Sequence, residues 1–107
     1  MSSFRRTHEP DRPGQLLLRD GEPVGAVVWA HDFAERARTG WFLVPLDDEG
    51  EHDHGRARRL AVSEDVDRLA ADSELLRAEW LARAETIELV TATAAIETAE
   101  RLLDAEG

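Results

Sequence analysis

The sequence predicts an α+β domain, a three-stranded antiparallel meander followed by a short helix and a long Ala-rich C-terminal helix. Three features carry this reading. Asp20-Gly21 sits between two apolar runs and suits a two-residue hairpin loop in which both positions need positive φ. A third apolar run, Trp41-Phe-Leu-Val-Pro-Leu46, follows Gly40. From Ser63 onward the apolar residues recur at steps of three, four or seven, the period of an amphipathic helix. With 107 residues, the chain fits one domain. It divides into an irregular arm over 1–13, the meander over 14–46, an acidic loop and Arg cluster over 47–61, and a helical half over 62–106.

Each element has its own reason. The hairpin register places Arg19 opposite Glu22, a favourable cross-strand pair. Pro23 lacks an N–H, so its side of the strand should miss a ladder bond. The strands are apolar on both faces, since Leu16 and Leu18 point opposite to Leu17. Both faces should therefore be covered, one by helices of the chain and the other by a second copy or a partner. Residues 31–40 read as a single helical turn or a long loop. Ser63 and Ser73 are expected N-caps, giving helices over about 64–71 and about 74–104. The β-branched stretch 86–93 has strand character, but Ala, Leu, Glu and Arg flank it on both sides and favour helix.

The long helix, roughly 45 Å at 1.5 Å per residue, carries two apolar stripes. A three-stranded sheet would be too small to cover both, which predicts self-association through Leu75, Leu76, Trp80, Leu89, Ile96 and Leu103. The partners expected are the chain itself and an unidentified protein.

Composition excludes several chemistries. All 13 basic residues are Arg, and Cys, Lys, Asn and Tyr are absent. Without Cys there are no disulfides, thiolate nucleophiles or Cys-based zinc sites. Without Lys there is no Schiff base and no phosphate-loop lysine. The missing Lys, Asn and Tyr codons are AT-rich, as expected of a high-GC bacterium or its phage. No Gly-x-Ser-x-Gly elbow occurs, and with 23 acids no carboxylate pair stands out. No catalytic residue and no cofactor is therefore assigned, and the expectation is a non-enzymatic protein. The N-terminus has no apolar signal segment, and no run is long enough for a membrane span, so the chain reads as cytoplasmic.

Two constellations give alternatives. His52 and His54 flank Asp53 in the acidic loop and could ligate zinc or nickel with Asp48 or Glu49 nearby, and a metal protein or enzyme would centre on these and His31. Arg56, Arg58 and Arg59, together with Arg5, Arg6, Arg36 and Arg38, could form a phosphate-contacting edge for nucleic acid. The net charge of −10 disfavours that use. The charge is also uneven: residues 1–61 sum to −2 and residues 62–107 to −8. In the helical half, Glu64/Arg68, Glu79/Arg83 and Glu97/Arg101 are i,i+4 pairs in the favourable order.

Leu17-Leu-Arg-Asp-Gly-Glu-Pro-Val-Gly-Ala-Val-Val28 followed by His31-Asp-Phe-Ala-Glu35 resembles the hairpin of Phd/YefM-type antitoxins. That resemblance implies a dimeric repressor whose Val-rich strand leads into a helix and whose C-terminal segment wraps a toxin. It covers about 20 residues, and no functional residue is carried across.

Overall fold

The computed structural model describes residues 4–8, as backbone, and 15–106. Five antiparallel strands form one sheet in sequence order: β1 (Phe4–His8), β2 (Gln15–Arg19), β3 (Glu22–Ala30), β4 (Gly40–Val44) and β5 (Arg58–Arg59). Two helices follow, α1 (Glu64–Ala71) and α2 (Arg77–Glu106). The expected meander is thus present as β2–β3–β4, with one strand added at each edge. The arm is not irregular throughout, because residues 4–8 pair with β2 from Phe4↔Arg19 to His8↔Gln15. The period-2 signal in Phe-Arg-Arg-Thr-His is weak, which is why the strand escapes a reading by pattern. The rest of the arm lies outside the described residues.

The β2–β3 turn forms as its residues require. Asp20 has φ 54° and Gly21 φ 82°, and Arg19 faces Glu22 across the hairpin. The ladder then slips: Leu18 faces Pro23 but Leu17 faces Gly25, leaving Val24 as an extra residue. A bulge beside Pro23 accommodates the missing donor.

Residues 31–40 carry a single 3-10 turn, Arg36–Arg38, rather than the helix that follows an antitoxin hairpin. The Asp32 carboxylate accepts from the N–H groups of Ala34 and Glu35, 2.9 and 3.2 Å, and holds the loop in that shape. Arg36 then reaches across to the α1–α2 connection. Its guanidinium donates to the carbonyls of Asp72 (2.5 Å) and Leu75 (2.8 Å) and stacks 4.3 Å above the Phe33 ring.

Ser63 caps α1, its hydroxyl accepting from the Asp65 N–H at 3.2 Å. Ser73 caps nothing in the same way. Asp72 holds that turn instead, accepting from the N–H groups of Glu74 (2.9 Å) and Leu75 (3.2 Å), and α2 begins at Arg77. These two bonds, in that order, with Arg36 and Arg83 nearby, hold the Asp72 carboxyl below its usual range. The 86–93 segment is helical. Thr86, Thr91 and Thr98 each donate a hydroxyl to the carbonyl four residues earlier, so their polar groups are satisfied within the helix.

The core lies between one face of the sheet and the helices. Leu17, Val27, Trp41 and Leu43 meet Leu60, Val66, Ala95, Ile96 and Ala99. A neighbouring cluster joins Leu69, Trp80 and Ala84, with Phe33 and Leu75 against it. All three Trp are anchors whose indole N–H is bonded: Trp41 to the buried Thr91 hydroxyl (2.8 Å), Trp80 to the Leu69 carbonyl (3.1 Å) and Trp29 to His31 Nδ1 (3.0 Å). On the opposite face Ala26, Val28 and Val44 are buried, with Phe42 and Ala57 packed beside them.

Candidate interaction surface

The side chains that could have carried chemistry are held by local structure. Strand order puts β1 and β5 at opposite edges of the sheet, so the Arg residues do not form a single basic edge. Arg58 makes a bidentate ion pair with Glu106, near the end of α2. That bond raises the Arg58 pKa and holds the Glu106 carboxyl below its usual range. Arg59 bonds Asp67 at 3.0 Å and the Thr39 carbonyl at 3.2 Å, its guanidinium lying over Gly40. A Cβ at position 40 would sit 2.8 Å from Arg59 Nε, so the small residue makes room for this tie. Arg56 pairs more loosely with Asp53, 4.0 Å away. A phosphate would have to displace these carboxylates to gain the same guanidinium groups.

A cleft of about 410 Å³ lies where β3, β4 and the end of α2 meet, lined by Val24, Leu43, Pro45, Leu103, Arg56, Arg58 and Glu106. The Arg58–Glu106 pair sits at its wall and leaves its charge internally compensated.

The three imidazoles do not assemble. His31 follows the β3 end paired with Gly40, whereas His52 bridges to Leu46 beyond the other end of β4. His52 and His54 do lie near each other, their ring centroids 5.7 Å apart. Among the described residues, however, no group of three or more His, Asp or Glu side chains gathers into a metal site. The acidic loop is organised by its own backbone. Asp47 Oδ1 accepts from the N–H groups of Glu49 and Glu51, both at 2.9 Å, and Gly50 takes φ 80° at the turn.

What remains open is the solvent side of α2. Of the six positions assigned to self-association, Trp80 and Ile96 are buried in the monomer core, and Leu75 and Leu103 pack partly against it. The reason is that α1, Phe33 and one face of β2–β4 pack on α2 and bury the line Trp80, Ala84, Thr91, Ala95, Ala99. Leu76 and Leu89 stay 74% and 75% exposed, joined by Val90 at 70%. Val90 is not among those six positions. The hundred-degree rotation per residue puts it on the far side of the helix from Ala95.

Among the described residues no helix is long and apolar enough to cross a membrane. Comparison with known proteins gives no relative: no protein-family model, no curated protein and no solved structure matches the chain.

Proposed function

We propose that the chain is a non-enzymatic interaction protein that self-associates through the solvent side of α2 and, as an assembly, binds a protein partner. The observation that carries this reading is the exposure of Leu89 and Val90 on α2, with Leu76 exposed just before its first residue, while Trp80, Ala84, Ala95, Ile96 and Ala99 of the same helix are used in the core. Large apolar side chains standing in water on one regular element mark a contact surface more often than chance does. The reading is further supported by the engagement of Arg58 and Arg59 with carboxylates and by the separation of His31 from His52 and His54. The acidic surface of residues 62–107 suits a basic face on the partner.

The test is co-purification of two differently tagged full-length copies expressed together. One copy should retain the other, and Leu89→Ser with Val90→Ser should abolish retention while leaving the circular dichroism spectrum unchanged. Failure of the unaltered copies to retain each other would contradict the proposal.

A further inference from the structure

The exposed face of α2 has a symmetry in its charge pattern that fixes how two copies would meet. Glu79, Arg83, Val90, Glu97 and Arg101 are all exposed and lie along one side of the helix. Val90 is eleven residues from both Glu79 and Arg101, and seven residues from both Arg83 and Glu97. Thr86 and Ala94 stand four residues to either side of it. The spacing therefore reads the same in both directions, while the charges reverse.

We infer that two copies pair α2 against α2 in antiparallel fashion, with a two-fold axis passing beside Val90. This rests on the self-association reading above and adds its geometry. In that arrangement Glu79 faces the partner's Arg101 and Arg83 faces the partner's Glu97, and symmetry repeats both pairs. A parallel, in-register pair would set each charge against its own kind, an unfavourable arrangement for exposed helix charges. Val90 meets its own symmetry mate at the axis. Leu89, a hundred degrees round the helix from Val90, stands at one edge of the contact, on the same flank as its mate. Thr86 and Ala94 are small enough to let the helices approach. An isologous contact of this kind closes on itself and gives a dimer, not a filament.

The absence of Cys makes the test direct. Full-length Val90→Cys and Leu76→Cys are prepared separately and mildly oxidised, and the products are resolved without reductant. Two Cys can bridge only when their Cα atoms come within about 7 Å. The antiparallel pair brings the two residues 90 together. It separates the two residues 76 by roughly 42 Å, at 1.5 Å per residue. Val90→Cys should therefore link into a covalent dimer and Leu76→Cys should not. Linking by Leu76→Cys, or by neither variant of a chain that still associates, would overturn the antiparallel register and leave self-association standing. A chain that sediments as a monomer would overturn both. In a second arm, Arg83→Glu should weaken the dimer on the order of tenfold, and adding Glu97→Arg should restore it. A double variant as weak as the single one would overturn the proposed pairing.

Discussion

Trp41 and Thr91 make a buried side chain to side chain hydrogen bond that ties the sheet to α2 through the core, at 2.8 Å. Thr91→Val keeps the shape and removes the acceptor, leaving a buried indole N–H alone. The expected cost is about 1–3 kcal/mol, read by chemical denaturation. Arg36 has a comparable role at the other end of the core. Arg36→Ala removes two bonds to carbonyls and the stack on Phe33, and should cost about 2 kcal/mol. Asp72 sets a pH dependence. Its carboxyl is held below the ordinary range, so its stabilising effect is present above the unfolded-state pKa and is lost as pH falls through the folded one. The stability gap between the wild-type chain and Asp72→Ala should therefore narrow in acid; a gap constant with pH would contradict this. The Asp20-Gly21 turn and the Arg19–Glu22 pair were legible in the sequence because both are decided by neighbouring residues. The roles of Arg36 and Asp72 were not, because each depends on a segment brought near only by the fold.

At the scale of elements, α1 and α2 follow from apolar spacing, and within α2 the hydroxyls of Thr86, Thr91 and Thr98 are satisfied by carbonyls four residues back. The sheet was legible only in β2–β4, where apolar runs mark the strands. β1 and β5 are short, charged edge strands that pair through contacts the local pattern does not encode. The face assigned to self-association was too wide because α1, Phe33 and the inner face of β2–β4 already cover Trp80 and Ile96. The two sides of α2 should respond differently to substitution. Ile96→Ala, on the buried side, should cost about 2–5 kcal/mol. Leu89→Ser, on the exposed side, should change monomer stability by no more than about 0.5 kcal/mol. Thermal melts of both variants at low concentration check this. A large loss for Leu89→Ser would mean that residue is already packed within one copy.

Across the whole molecule, charge and apolar exposure are distributed unequally. The sheet half is nearly balanced, and its Arg residues at β5 are tied to Asp67 and Glu106 in the helical half. The helical half carries a net −8 and also the exposed Leu76, Leu89 and Val90. The candidate site was half legible: the helix and the exposed Leu76 and Leu89 came from periodicity, but which side stays outside depended on how α1, Phe33 and β2–β4 pack on α2. The central claim, that this outer stripe is the surface through which copies associate, is tested most directly by sedimentation velocity over a dilution series. The wild-type chain should sediment as a dimer that dissociates on dilution, and Leu89→Ser with Val90→Ser should sediment as a folded monomer throughout. A wild-type chain that is monomeric at its highest soluble concentration, or a double variant that still forms the dimer, would contradict it.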